Sequence, residues 1–220
     1  MRVFVAGDWH LGTYTPPAEA RLAVEFLEWA PAHADLIVLN GDIFEGLFEA
    51  PERAERAQPR AAELIDRLAA AGTLRRTQGN HDPGGGVLSI VIEHPAVGRV
   101  LVAHGHAADP MHASSVGHFG DGISRRFGHL GLVRGAAAVV ESAVSGLFAG
   151  PVDRLYRTKC LAMVERERCA LGVFGHNHRR HLVAGDPYVN AGRLTRSRLE
   201  YLVLDDDGPA LREFTGATGA

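Results

Sequence analysis

Residues 2–10 carry the sequence RVFVAGDWH, a short apolar run that ends in a glycine, an acid and a histidine. The β-branched and aromatic residues up to Ala6 predict a buried strand, and Gly7 marks the point where the chain turns out of it. Asp8 and His10 are two residues apart, so in an extended segment their side chains project to the same side. The stretch therefore predicts a strand that brings a carboxylate and an imidazole to one place.

The same arrangement recurs along the chain. Predicted strands at 35–40, 74–77, 99–103 and 170–174 each lead into a polar loop. These loops read Gly41-Asp42, Gly79-Asn80-His81-Asp82, His104-Gly105-His106 and Gly175-His176-Asn177-His178. In α/β sheets, loops beyond the carboxyl ends of strands are where binding sites are assembled. The recurrence predicts one site built from five strand ends.

The rest of the chain supplies helices and a further set of strands. Helices are predicted at 17–30 and 51–71, the second with a proline at its start and Gly72 after its end. Between 114 and 168 the strand rhythm stops, and apolar residues predict a helical insertion or lid over the site. Alternating runs predict antiparallel strands that complete a second sheet, at 181–183, 188–190, 199–204 and 211–214. We expect one α/β domain over residues 1–220, with the helical insertion at about 114–168.

Composition narrows the class of protein and of partner. With 220 residues, 46% hydrophobic and 22% charged, the chain is typical of a globular domain. A formal net charge of -3 gives no broad basic field, so we expect no duplex nucleic acid partner. Cys160 and Cys169 lack the spacing of a cysteine zinc site and are interpreted as small apolar residues. Oligomeric state stays open.

Location is inferred from what the apolar segments can do. The N-terminus reaches Asp8 too soon for the apolar region of a signal peptide, so a cytoplasmic protein is expected. The apolar stretch at 130–152 is interrupted by Arg134 and Glu141 and is not expected to cross a bilayer. It could lie on one, which leaves peripheral contact with the inner membrane surface open.

Seven side chains at the strand ends offer oxygen or nitrogen donors and no thiolate. Such a mixed set suits Mn, Fe, Zn or Co, and it exceeds what one tetrahedral ion needs but serves two ions that share a bridging carboxylate. Each residue alone has an ordinary structural interpretation as a turn residue, a helix cap or a core imidazole. Their joint order favours a dinuclear metal site formed by Asp8, His10, Asp42, Asn80, His104, His176 and His178.

These residues resemble the signature of the calcineurin-like metallophosphoesterases, which runs D-x-H, G-D, G-N-H-D/E, H and G-H-x-H. The match spans Val3 to His178. The resemblance implies a two-sheet β-sandwich flanked by helices, and two divalent ions, with manganese favoured and Fe, Zn or Co as alternatives. It places one ion on Asp8, His10, Asp42 and His178 and the other on Asp42, Asn80, His104 and His176, with Asp42 as the bridge. The turn at 190–192 is similar to the family's closing loop.

The resemblance also implies roles for residues beside the ions. The resemblance implies that His81 is the histidine that stabilises the phosphoryl oxygens or protonates the leaving group. Glu45 matches the acid that orients this histidine, with a solvated loop acid as the alternative. Asp82 is expected behind the ligands, holding a ligand imidazole. His106 is interpreted either as a substrate contact or as a histidine of the surface or lid.

The implied reaction is hydrolysis of a phosphomonoester, a phosphodiester or a pyrophosphate by a metal-bridging hydroxide. The sequence 41–46 lacks the arginine of the protein phosphatase motif G-D-x-x-D-R-G, so a phosphoprotein substrate is disfavoured. Its Gly-Asp-Ile-Phe-Glu run resembles the UDP-2,3-diacylglucosamine hydrolase branch instead. That branch commonly has arginine at the place of His81 and aspartate at the place of His106, so a nucleotide- or lipid-linked substrate stays open. The alternative is a catalytically silent scaffold of this fold that binds proteins.

Overall fold

The computed structural model describes residues 1–110 and 150–216. They form two mixed β-sheets with helices on the outer faces. The strands are β1 (Val3–Ala6), β2 (Leu36–Asn40), β3 (Leu74–Thr77), β4 (Ser89–His94), β5 (Gly98–Ala103), β6 (Leu171–Phe174), β7 (Tyr188–Asn190), β8 (Leu199–Asp205) and β9 (Gly208–Phe214). The helices are α1 (Pro17–Trp29), α2 (Pro51–Ala57), α3 (Pro59–Ala70) and α4, described over 150–166.

Strand direction explains why the polar loops meet. The first sheet has the order β3-β2-β1-β8-β9, in which β1, β2 and β3 are parallel. The second sheet has the order β4-β5-β6-β7, in which β5, β6 and β7 are parallel. Parallel strands end at the same edge of a sheet, so each sheet presents its predicted site loops together. The five strands predicted to carry these loops are present, with bounds within one residue of the prediction.

Alternation along the strands builds a layered core. Val3 and Val5 of β1 join an apolar cluster contributed by both sheets. Phe4 and Ala6 project the other way and pack with residues of α1 and α3. Tyr156 and other residues of α4 pack on the outer face of the second sheet. The period of two thus gives β1 two buried faces, and the predicted two-sheet fold flanked by helices is confirmed.

Three predictions of local structure were wrong or incomplete. The helix predicted at 51–71 is divided at Gln58, which has φ -128° and ψ 54°, because the residue before a proline is disfavoured in the helical region. Strand β4 was not predicted. The hairpin of β8 and β9 is antiparallel as expected, but β8 pairs with β1 and so extends the first sheet.

The remaining C-terminal segments also differ from the prediction. Strand β7 is parallel to β6, and in 181–183 only His181 forms a bridge, to Asn190. Of the predicted helical insertion, 150–166 is helical, whereas 114–149 lies outside the described residues. Among the residues that the structure describes, no helix combines the length and apolar character needed to span a bilayer.

Candidate metal centre

The backbone at the predicted ligands is held in an unusual conformation. Six non-glycine residues of the described chain have positive φ, and five of them are predicted ligands: Asp8 (56°), His10 (49°), Asp42 (51°), His176 (69°) and His178 (56°). Such conformations cost roughly 1–3 kcal/mol each, persist only where the surrounding structure enforces them, and cluster at functional sites. The strain therefore coincides with the residues that the sequence selected.

Backbone hydrogen bonds between the strand-end loops hold this geometry. The Asp8 amide donates to the Gly41 carbonyl at 3.1 Å, and the His10 amide donates to the Asp42 carbonyl at 3.0 Å. The glycine at 79 is required by close packing, because a Cβ there would collide with the Asp42 carboxylate. The loops after β1, β2 and β3 are therefore packed closely against one another.

One group of candidate ligands consists of Asp8, His10 and His178, whose ligand atoms all lie within 4.8 Å of one another. The Nε2 atoms of the two histidines are 3.2 Å apart. His178 Nε2 lies 3.3 Å from Asp8 Oδ1. Two imidazole nitrogens and a carboxylate that face one point are the donor set of a divalent cation.

A second group consists of Asp42, His104 and His176, again with ligand atoms within 4.8 Å of one another. His104 Nε2 is 3.1 Å from Asp42 Oδ2. Asn80 Oδ1 completes the group, at 3.3 Å from His104 Nε2 and 3.0 Å from His176 Nδ1. These residues come from the ends of β2, β3, β5 and β6.

Asp42 stands between the two groups. Its Oδ2 is 3.1 Å from His104 Nε2 in the second group and 3.9 Å from His10 Nε2 in the first. The same carboxylate oxygen thus faces both clusters. The donor set fits two cations that share one carboxylate, and the structure brings all seven predicted ligands together.

The tautomer of His104 is fixed by the backbone. Its Nδ1 lies 2.9 Å from the Asn40 carbonyl, which can only accept, so Nδ1 carries the proton and Nε2 is left for a cation. The side chain is fully buried. The peptide N–H of His176 likewise donates to Asp8, at 3.1 Å from Oδ1, which fixes that carboxylate against the other loop.

The buried charges balance one another. Burial disfavours the charged form of Asp42, but the neighbouring His104 outweighs this and holds its pKa well below the usual range. Burial similarly opposes the charge on His104, yet Asp42 raises the pKa of this imidazole to about 10. Asp8 has a lowered pKa because His178 and His104 outweigh its burial. The carboxylates are therefore ionised and ready to bind a cation, and a cation must displace the proton of His104.

His81 and Glu45 form a pair beside the first group. His81 Nδ1 is 2.8 Å from Glu45 Oε1, which can only accept when ionised, so Nδ1 donates this hydrogen bond. Burial disfavours the ionised form of Glu45, but the neighbouring imidazoles of His10 and His81 lower its pKa far below the usual range. The Leu47 amide also donates to Oε1, at 2.9 Å. Glu45, with 16% of its side chain exposed, is thus a partly buried partner of His81 and not a solvated loop acid.

Asp82 and His106 lie close to the ligands in ways that the sequence did not specify. Asp82 accepts backbone N–H groups from Asp42 at 2.9 Å and Gly79 at 2.7 Å. It therefore holds the peptide of a predicted ligand, whereas the prediction placed it on an imidazole. His106 opens a single 3-10 turn, and its ring centroid is 5.5 Å from that of His104.

Sequence reasoning missed two side chains that contact the site loops. Tyr156 of α4 is buried and donates its hydroxyl to the Gly175 carbonyl at 3.0 Å. Asp109 Oδ2 is 2.8 Å from His176 Nε2. No motif includes either residue. Asn190, in the predicted closing loop, donates to the Gly175 carbonyl at 2.8 Å.

A cavity of about 280 Å³ adjoins His81 and Asp82. Charged side chains of Arg76, Glu52 and Glu55 contribute to its lining. None of the seven predicted ligands lines it, so the cavity neighbours the loop of His81 and does not mark the position of the cations.

Comparison with known proteins agrees with this geometry. The family model described as calcineurin-like phosphoesterase matches residues 1–180. A search of curated proteins gave no match.

Solved structures match nearly the whole chain. The Zn²⁺ complex of Vps29 from Entamoeba histolytica has 15% sequence identity and a TM-score of 0.50, with 100% of this chain and 95% of that chain covered. A predicted phosphoesterase from Streptococcus pneumoniae has 14% identity and a TM-score of 0.45, with 96% and 97% covered. An archaeal phosphodiesterase has 17% identity and a TM-score of 0.43, with 97% and 98% covered. At these identities the likeness concerns the fold alone.

Proposed function

The chain belongs to the calcineurin-like phosphoesterase family, and from this premise we propose that it is a hydrolase of phosphoric esters that depends on two divalent metal ions. The observation that carries the proposal is the position of Asp42. One of its carboxylate oxygens faces both ligand groups, at 3.1 Å from His104 and 3.9 Å from His10. A single-ion site would not need a buried carboxylate between two such groups.

The candidate ligands can be assigned to the two metal ions of such a reaction. Bound ions would supply Lewis acidity that activates water and neutralises the phosphoryl oxygens. Asp8, His10 and His178 would hold one ion, and Asn80, His104 and His176 the other, with Asp42 shared. We propose manganese as the ion, with Fe, Zn and Co as the alternatives that the same donors accept.

His81 is proposed to act on the substrate. With Nδ1 donating to Glu45, the protonated ring of His81 would use Nε2–H to donate a hydrogen bond to a phosphoryl oxygen or a proton to the leaving oxygen. Glu45 accepts from His81 at 2.8 Å and lies 3.6 Å from His10 Nδ1. One carboxylate thus orients both the proposed acid and a proposed ligand. His106 remains a proposed substrate contact.

The substrate class is proposed as a phosphomonoester, a phosphodiester or a pyrophosphate, with a nucleotide- or lipid-linked pyrophosphate as the specific candidate. For a lipid-linked substrate we propose a cytoplasmic location with peripheral contact to the inner membrane surface. His81 and His106 argue for testing small diesters beside it, since both depart from the pattern of the lipid-linked branch.

The test is hydrolysis by manganese-loaded protein of p-nitrophenyl phosphate, bis-p-nitrophenyl phosphate and a nucleotide pyrophosphate. We expect turnover of at least one, lost in Asp42→Asn and kept in Asp66→Asn, a matched change on the exposed face of α3. Absence of turnover on all three by protein that holds two ions would contradict the proposal and favour a protein-binding scaffold.

A further inference from the structure

His176 is contacted at both of its ring nitrogens. Its Nε2 lies 2.8 Å from Asp109 Oδ2, and its Nδ1 lies 3.0 Å from Asn80 Oδ1. An ionised carboxylate can only accept a hydrogen bond, so the proton on Nε2 is the one donated to Asp109. In the neutral ring, Nδ1 then carries the lone pair, and Nδ1 faces the second ligand group.

His176 differs in this respect from His104 in the same group. His104 directs Nε2 to the group and donates its Nδ1–H to a main-chain carbonyl of β2. His176 directs Nδ1 to the group, so the orientation of its ring depends on what receives Nε2–H. The acceptor of this N–H is the side chain of Asp109. Unlike the main-chain carbonyl that holds His104, it can be removed by a substitution.

Asp109 reaches His176 from a different strand end. It follows the 3-10 turn His106–Ala108 after β5, and its amide donates to the His106 carbonyl at 3.1 Å. The side chains are partly shielded, with 20% of Asp109 and 13% of His176 exposed. A hydrogen bond to an ionised acceptor in such surroundings is stronger than one between neutral groups.

We propose that Asp109 is a positioning residue for the second metal ion: it fixes the tautomer and ring orientation of His176 so that Nδ1 binds the ion held by Asp42, Asn80 and His104. This inference rests on the proposed metal centre. Partners of this kind raise the basicity of a ligand imidazole, and their loss weakens metal affinity. The ion at Asp8, His10 and His178 has no such dependence on Asp109.

The test is titration of Mn²⁺ and of Co²⁺ into metal-free protein, followed by calorimetry and by the visible absorption of Co²⁺. Wild type should bind two ions. Asp109→Ala should bind one of them about 10- to 100-fold more weakly and the other unchanged. Asp109→Asn should lie between, because its amide oxygen can still accept from Nε2–H.

The matched control is Asp186→Asn. Asp186 Oδ2 also lies within reach of a histidine Nε2, at 3.1 Å from His181, but neither residue is a predicted ligand, so both affinities should equal those of wild type. In the NMR spectrum, the Nε2–H signal of His176 should be present in wild type and lost in Asp109→Ala. Thermal unfolding checks that each variant is folded, and Asp109→Asn decides the question if the alanine variant is not.

The outcomes separate the two proposals. If the Asp109 variants bind each of the two ions as tightly as the wild type does, the proposed role of Asp109 is overturned, while the proposed metal centre is unaffected. Weakening of both ions to the same extent would also overturn it, because the effect would then not be specific to His176. Failure of the wild type to bind any ion would overturn the proposed function and this inference with it.

Discussion

The protonation of His104 gives a prediction that can be worked out from the structure. Burial disfavours its charge, but Asp42 raises its pKa to about 10, from an ordinary value of about 6.5. In metal-free protein, about one His104 ring in 100 should therefore be neutral at pH 8. Below pH 10, this neutral fraction should increase about tenfold for each unit by which the pH is raised. Because a cation needs the lone pair of Nε2, the apparent affinity of the second ion should increase by up to tenfold per pH unit between pH 7 and 8.5.

The sign of the stability effect follows from the same shift. The pKa of His104 is raised on folding, so its contribution to the stability of metal-free protein is fully present below about pH 6.5 and is lost as the pH rises through about 10. Addition of metal should remove this dependence, since the bound ion replaces the proton.

The assay is ¹⁵N NMR of the histidine rings of metal-free protein between pH 5 and 10.5. The imidazolium signal of His104 should persist at pH 8, titrate near pH 10, be absent in His104→Gln, and disappear on addition of Zn²⁺. Titration of the His104 ring near pH 6.5 would refute the reasoning, because it would mean that Asp42 does not hold the proton in place.

Three further predictions concern other residues of the site. His81→Ala should keep both ions and lose roughly 10² to 10⁴ in turnover, with a smaller loss for p-nitrophenolate than for an alkoxide leaving group; equal losses would exclude the general-acid role. Gly79→Ala should destabilise the protein by about 1–3 kcal/mol and lower metal content, because its Cβ meets the Asp42 carboxylate, whereas Gly84→Ala, where a Cβ meets nothing within 4 Å, should do neither. Tyr156→Phe should lower the free energy of unfolding by about 0.5–1.5 kcal/mol in urea titrations, and an unchanged midpoint would show that its hydroxyl does not hold the histidine loop.

The sequence was sufficient to predict the strands that carry the candidate ligands, since the information is local. Each short apolar run is followed within a few residues by its glycine and its acid, amide or histidine, and parallel strands bring those ends to the same edge. Glu45 was implied by the resemblance to the calcineurin-like metallophosphoesterases, and the structure places it 2.8 Å from His81.

Features that depend on contacts between distant segments could not be predicted in this way. The alternation of β8 is equally suited to either sheet, and only its pairing with β1 decides between them. Strand β4 lies at the edge of its sheet, and its sequence, SIVIEH, lies outside the strand-end motifs that guided the prediction. Asp109 and Tyr156 reach the site from segments with no motif, so their roles are visible only in the folded chain.

The positive φ angles of the candidate ligands and the position of Asp82 also depend on contacts between distant segments. Nothing in the sequence shows that Asp8 or His176 adopts positive φ, because aspartate and histidine usually lie elsewhere in φ,ψ space. Asp82 was expected to hold a ligand imidazole. Its carboxylate instead satisfies amides of two neighbouring loops, a task that arises only when those loops are packed together.

A centre of two ions joined by Asp42 is tested most directly by counting the bound ions. Metal content by mass spectrometry, together with the electron paramagnetic resonance spectrum of Mn²⁺-loaded protein, should give two ions per chain with a spin-coupled signal. In Asp42→Asn the coupled signal should be lost along with at least one ion, while Asp66→Asn should match the wild type. One ion or none in wild type, or two coupled ions with normal turnover in Asp42→Asn, would contradict the account.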